Sequence, residues 1–325
     1  MPDDPSPALD ARRRPSSARE LVVLGTASQV PTRERNHNGY LLRWDGLGVL
    51  FDPGEGTQRQ MTLAGVAASE VDAICITHAH GDHCLGLPGV LQRLSLDGVT
   101  RRVPLVHPAA AAQYVGRLRA ASVYDDRLSV DLRPVAGPGQ VLELPGLAVH
   151  ALPLQHAVPT FGYRLVEPDG RRMLPDRLQE RGVHGTDVGR LQREGNLQAA
   201  TGVVGLADVS EPRPGQRFAF VMDTAPCAEA VELARDADLL VCEATFGDAE
   251  AGLAAAYGHL TARDAATIAR EAGARRLVLT HFSQRYRDTA PLLAQAQEVF
   301  PDTVAARDLD RIPVPHRVRR RAGGY

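Results

Sequence analysis

Short apolar runs bounded by turn residues set the pattern of this chain. ELVVLG (20–25), GYLLRW (39–44) and LGVLFD (47–52) read as strands, separated by PTRERNHN and by Asp-Gly. A helix follows over Thr57–Leu63, and the continuous apolar run VDAICIT (71–77) reads as a strand that delivers the chain to His78. Further strands are expected near 103–106, 140–152 and 161–166. In the second half, RFAFVMD (217–223), ADLLVCEA (237–244) and ARRLVLTH (274–281) read as strands. They alternate with a helix near 227–236 and with TARDAATIAREAG (261–273), which has helical spacing and a Gly stop. A strand-rich first half and an alternating second half predict an α/β fold of mixed sheets covered by helices. No segment repeats with a solenoid-like period.

Composition marks the exceptions to this pattern. Residues 1–19 are polar and Pro-rich and read as a disordered tail, and RVRRRAGGY (317–325) reads as a frayed end, which leaves 20–316 as the folded domain. Between Glu167 and Gln216 large apolar residues thin out, so 167–216 reads as an inserted arm. No apolar run approaches the length of a membrane span and the start has no signal-like apolar core, so a cytoplasmic location is expected. Cys75, Cys84, Cys227 and Cys242 form no C-x-x-C pair and read as small buried apolar residues. The net charge of −2 excludes a generally polybasic nucleic-acid binder. All 37 basic residues are arginine, so any phosphate contacts would be made by planar guanidinium groups.

The most informative chemistry is His78-Ala-His80-Gly-Asp82-His83, four potential ligands within six residues just after a buried strand. Buried polar groups at this density need partners, and imidazole with carboxylate suits zinc-like cations. One loop cannot complete two coordination spheres. His156 after VHALPLQ, Asp223 ending RFAFVMD and His281 ending RRLVLT are further candidates, each at the carboxyl end of a strand. Taken singly, each also suits a surface or capping role.

With these residues in place, the sequence resembles the metallo-β-lactamase superfamily, whose signature is H-x-H-x-D-H, and within it ribonuclease Z. LGTASQVPTRERN (24–36), FDPGEGTQRQM (51–61), ITHAHGDHCLGLPG (76–89), PLQHAVPTFGYRL (153–165), MDT (222–224), EATF (243–246), GHLTARDAA (258–266) and LTHFSQRY (279–286) match its motifs in order. The resemblance implies an αββα four-layer sandwich with an inserted exosite arm at 167–216. It implies two Zn2+ per chain, with Mn2+ or Fe2+ as chemical alternatives. One cation would take His78, His80, His156 and Asp223; the other Asp82, His83, His281 and the shared Asp223.

The implied reaction is hydrolysis of a phosphodiester at the 3′ side of precursor tRNA, leaving a 3′-hydroxyl on the tRNA. Asp82 would orient the attacking water or take its proton, and His259, oriented by Glu243, would protonate the leaving oxygen. Asp52 would orient a ligand histidine. Arg33, Arg35, Asn36 and Arg285 would contact substrate, and a homodimer would present the arm of one subunit to tRNA cut by the other. Two features depart from the family pattern: VHGTDVGRLQREG (183–195) lacks the usual Gly-Pro-rich arm, and Cys242 precedes EATF where His is common. The competing readings are a hydrolase of this fold acting on a small phosphodiester or other ester, and a non-catalytic RNA-binding member.

Overall fold

The computed structural model describes residues 19–315. The expected tail up to residue 18 and the expected frayed end lie outside the described residues. Arg19 corrects the tail boundary. It opens the first strand, Arg19–Gly25, with its guanidinium 4.5 Å from the Trp44 ring and 2.8 Å from Glu167.

Two seven-stranded sheets stack face to face. The first runs Arg311–Pro313, Arg19–Gly25, Gly39–Trp44, Leu47–Phe51, Ala73–Cys75, Val103–Pro108, Val130–Val135. The second runs Thr303–Ala305, Leu277–Thr280, Leu239–Glu243, Arg217–Val221, Thr160–Val166, Leu147–Leu154, Gly139–Leu144. Each sheet is antiparallel in its hairpin-connected half and parallel in the half joined by crossovers. The hairpin turn Asp45-Gly46 has positive φ at both residues (48° and 90°), which suits the right-handed twist of its strands.

Three buried apolar layers account for the stacking. Leu21, Val23, Phe51, Phe218, Phe220 and Val241 lie between the sheets, with the Phe51 and Phe220 rings stacked at 4.7 Å. Outside the first sheet, the helix Leu87–Leu96 buries Leu87, Val90, Leu91 and Leu94, the spacing of one helical face. Outside the second, Ala262–Glu271 buries Ala262, Ala265, Ala266, Ile268 and Ala269, and these small residues let the helix approach closely. Thr261 caps this helix in a box with Asp264. The outcome is the four-layer αββα sandwich that the resemblance implied.

Some expected elements have different bounds. The expected strand 140–152 is a hairpin that turns at Pro145-Gly146, and the strand of 71–77 is confined to Ala73–Cys75. The strand Val130–Val135 and the helices Leu87–Leu96, Ala112–Arg119 and Ala290–Gln297 were not among the expected elements, although Leu87–Leu96 carries helical apolar spacing.

The segment 167–216 projects on a two-stranded stalk, Gly170–Met173 paired with Ser210–Arg213. Beyond the stalk lie the helices Pro175–Glu180 and Thr186–Glu194 and a small hairpin. Val183, Leu191, Leu197, Val204 and Val209 give it a small core of its own. At its base Glu167 accepts from Arg19, from Arg213 (2.7 Å) and from the Gln216 backbone N–H (2.9 Å). Four of the arm arginines are engaged locally: Arg171 with Ser210, Arg172 with Glu211, Arg177 with the Asp208 carbonyl and Arg190 with Glu194.

Candidate metal centre

Strand ends from both sheets supply the site. Parallel pairing of Arg217–Val221, Leu239–Glu243 and Leu277–Thr280 puts their carboxyl ends on one edge, which carries Asp223, Glu243 and His281. Ala73–Cys75 delivers the His78–His83 loop to the same edge, and Leu147–Leu154 delivers His156. The loop is held down from below. A Cβ at Gly54 would lie 2.1 Å from the Asp82 carbonyl oxygen, so only glycine lets the Asp52–Glu55 turn pass so close. Asp52, Asp223 and His281 have φ of 43°, 42° and 60°, unusual for non-glycine residues. Backbone of this kind concentrates where a site is over-determined by its surroundings.

The structure brings all seven expected ligand side chains together. His78, Asp82, His83, Asp223 and His281 are buried, and His80 and His156 are half-buried at the cleft floor. The donor atoms fall into two sets. In one, Asp223 Oδ2 lies 3.5 Å from His78 Nε2 and 3.7 Å from His156 Nε2, which is 3.4 Å from His80 Nδ1. In the other, Asp82 Oδ2 lies 3.3 Å from His83 Nε2 and 3.4 Å from His281 Nε2, which is 3.2 Å from Asp223 Oδ1.

These spacings provide a test of metal fit. Four ligands at bonds of about 2.0–2.1 Å in a tetrahedron stand about 3.3–3.4 Å apart, close to the separations in both sets. Asp223 Oδ1 is buried without a hydrogen-bond partner among the described residues, the condition of a carboxylate oxygen meant for a cation.

Electrostatics agree. Burial and the neighbouring His83 hold the His78 imidazole well below its usual range, so it stays neutral and able to ligate. At His83 burial acts in the same sense but is overcome by Asp82, Asp223 and Asp52, which raise it well above the usual range. Three carboxylates around one imidazole thus leave a buried excess of negative charge that calls for positive charge.

The far side of four of the five ligand rings is also held. Asp52 Oδ2 takes the His83 Nδ1 hydrogen at 2.8 Å, Thr77 Oγ1 that of His78 at 3.0 Å, the Gly258 carbonyl that of His156 at 3.0 Å, and Thr245 Oγ1 that of His281 at 2.7 Å. Both threonine hydroxyls donate onward, Thr77 to Asp52 and Thr245 to Glu243, so each is free to accept from its histidine. This arrangement fixes the tautomer that turns the other nitrogen inward. Thr77 and Thr245 were not found by sequence reasoning, since a threonine next to a ligand or at a strand end carries no distinguishing signal.

His259 stands beside the cluster, presented by the left-handed turn at Gly258 (φ 68°). Its Nδ1 lies 3.1 Å from both oxygens of Glu243, which is fully buried and also accepts from the Thr224 N–H at 2.8 Å. Against the effect of burial, Glu243 pushes the His259 imidazole up to about 9, so it carries a proton at neutral pH. Cys242 points the other way, into the apolar layer under the outer helices, so the departure there is absorbed in the core.

The expected substrate contacts divide. Arg285 lines the cleft, a concavity of about 380 Å³. Arg33 is exposed but outside the cleft lining. Arg35 and Asn36 make structural contacts outside the cleft lining. Arg35 donates to the Ser283 and Tyr286 carbonyls at 3.2 and 2.7 Å, and Asn36 donates to the His37 and Glu55 carbonyls. Arg35 Nη2 and Asn36 Nδ2 thus help pin the loop that was expected to grip substrate.

Residues 48–282 match the β-lactamase superfamily domain. Ribonuclease Z of Nocardia farcinica is 57% identical over 304 residues, covering 93% of this chain and 99% of that protein. Ribonuclease Z of Streptomyces coelicolor is 56% identical over 303 residues, covering 93% and 99%. Among solved structures, the short form of human tRNase Z superposes with a TM-score of 0.66 at 26% identity over 91% of this chain and all of that one. A fold of this architecture, this donor cluster at its strand ends and relatives that match nearly end to end place the chain in the ribonuclease Z family of the β-lactamase superfamily.

Proposed function

We propose that this protein is a two-zinc endoribonuclease that cuts precursor tRNA on its 3′ side and leaves a 3′-hydroxyl on the tRNA. The observation that carries the proposal is the division of seven donors into two sets sharing Asp223, with the His259–Glu243 pair beside them. The names of the ribonuclease Z relatives and of human tRNase Z support the choice of substrate.

His78, His80, His156 and Asp223 would hold one zinc, and Asp82, His83, His281 and Asp223 the other. Bound there, a cation pair lowers the pKa of a coordinated water toward about 7 and neutralises charge on the phosphoryl oxygens. Asp82 stays ionised: burial would raise it, but His83 and His281 hold it well below the carboxylate range. It is therefore able to orient the attacking water or take its proton. Protonated His259 gives its Nε2 proton to the departing ribose oxygen, and Glu243 steadies the ring and its positive charge.

In the arm, Arg181 and Arg193 are exposed and form no ion pair among the described residues, which suits them to phosphate. A homodimer in the cytoplasm, with one subunit's arm reaching the other's cleft, completes the reading. No described helix is long and apolar enough to cross a membrane.

The test is a precursor tRNA with a labelled trailer beside a chromogenic phosphodiester, with metal content measured on the same preparation. The expected result is cleavage at the 3′ side with a 3′-hydroxyl product and about two zinc per chain. Hydrolysis of the small ester alone would overturn the substrate; folded, active protein with no metal would overturn the centre.

A further inference from the structure

One wall of the cleft is neither metal site nor arm. Phe246, Arg285, Tyr257 and Val30 contribute to this part of the lining. Tyr257 and Val30 are exposed to 61% and 41%, large apolar surface at the mouth of a polar cleft. Phe246 is 5% exposed, and the Arg285 guanidinium lies over its ring, 5.3 Å from the centroid. Arg285 itself is exposed, lines the cleft and has no carboxylate partner among the described residues. The guanidinium therefore lies between the Phe246 ring and the open cleft.

The pair is held before any ligand arrives. Arg285 Nε donates to Ser283 Oγ at 3.2 Å, and Arg35 fixes the Ser283 and Tyr286 carbonyls from behind. The Gly247 N–H donates to Tyr286 Oη at 2.8 Å, tying the Phe246 strand end to the Arg285 loop, and Tyr286 in turn donates to Glu250. The Phe246 ring meets His259 edge to face at 6.0 Å. A planar guanidinium held over an aromatic ring and exposed to the cleft, next to the proton donor for the departing oxygen, is suited to a nucleobase.

We propose that Phe246 and Arg285 form a stacking platform for the base of the nucleotide whose ribose oxygen departs. This rests on the endoribonuclease reading above. Stacking uses the face common to all bases, so the platform accepts any base but requires a base to be present. Phe246 and Arg285 are positioning residues, and their contribution is to hold the departing oxygen near His259.

The experiment is a double substitution across the contact. Wild type and Arg285→Lys, which keeps the charge and loses the plane, are each assayed on precursor tRNA with the natural base or an abasic site at that nucleotide. Stacking of one base on such a platform predicts that wild type loses about 5- to 150-fold in kcat/KM on the abasic substrate. Arg285→Lys should lose a similar factor on the natural substrate and almost nothing more on the abasic one. Phe246→Leu, which keeps apolar bulk under the guanidinium, should lose part of that factor with unchanged metal content. Equal cleavage of both substrates by wild type would overturn the platform, as would losses that multiply between Arg285→Lys and the abasic site. A drop confined to Arg285→Ala, with Arg285→Lys unaffected, would also overturn it and assign Arg285 to phosphate charge. If wild type cuts neither tRNA, the endoribonuclease reading fails instead.

Discussion

Replacing Asp52 by Asn probes how the protein holds one metal ligand without touching the metal. Asp52 is fully buried and accepts three hydrogen bonds, from Thr77 N (2.7 Å), Thr77 Oγ1 (2.7 Å) and His83 Nδ1 (2.8 Å). Asparagine retains one oxygen, so two orientations are open to it. With its oxygen in the Oδ2 position it keeps Thr77 Oγ1 and His83 but turns its NH2 against the Thr77 N–H. Two buried donors then face each other, a cost of about 1–3 kcal/mol. With its oxygen in the Oδ1 position, its NH2 faces His83 Nδ1 and forces the other tautomer. Nε2 then carries the proton and cannot ligate. Either way the centre weakens. Loss of such an outer partner typically lowers metal affinity 10–100-fold, about 1.4–2.7 kcal/mol. Chelator competition with metal content measured per chain is the assay. The expected result is a midpoint shifted by one to two decades of free zinc, with the fold retained by circular dichroism. A variant that holds both metals as tightly as wild type would refute the claim that Asp52 sets the His83 tautomer.

The remaining predictions concern the cluster, the acid and the arm. Asp223→Ala should lose both metals together, because both donor sets use that carboxylate; retention of either metal at wild-type affinity would count against the shared ligand. His259→Ala should keep its metal and lose about 10²–10⁴-fold in turnover, read as kcat on precursor tRNA, and unchanged kcat would remove it from the chemistry. At Glu167 burial is overcome by Arg19 and Arg213, which lower the carboxyl from 4.5 to about 2. A depressed acid stabilises the fold above its unfolded value and loses that contribution as pH falls through the folded one. After discounting for water at the arm junction, wild type should lose about 1–2 kcal/mol between pH 5 and 2 that Glu167→Gln does not; parallel urea curves across that range would refute this. Replacing 174–209 by a short turn, which keeps the stalk ladder, should weaken precursor tRNA cleavage and spare a small phosphodiester, whereas equal losses would make the arm structural.

Much of this protein was written in local sequence. The strands LLVCE and LVLT are apolar on both sides because both faces are covered, and such runs are readable without knowing what covers them. A helix was expected at about Thr57–Leu63, and the capped, Gly-stopped helix near 261–273 was legible because its signals lie within one turn of its ends. The ligand cluster at His78–His83 was likewise visible, since four donors in six residues have little other use.

Other features depended on residues far apart in the chain. Whether His156, Asp223 and His281 face one another follows from the parallel pairing of strands in the second sheet and from the packing of the two sheets, not from any property of each residue alone. Thr77 and Thr245 became histidine anchors only once folding put their hydroxyls beside the far ring nitrogens. Arg35 shows the opposite case. Its loop sequence suggested a substrate contact, and the fold brings the backbone carbonyls of residues 283 and 286 to its Nη2. Periodicity and spacing determine which face of an element is buried; which distant partners satisfy a polar side chain is decided when sheets and loops close on one another, because hydrogen bonds and ligation act over a few ångströms in space and take no account of separation along the chain.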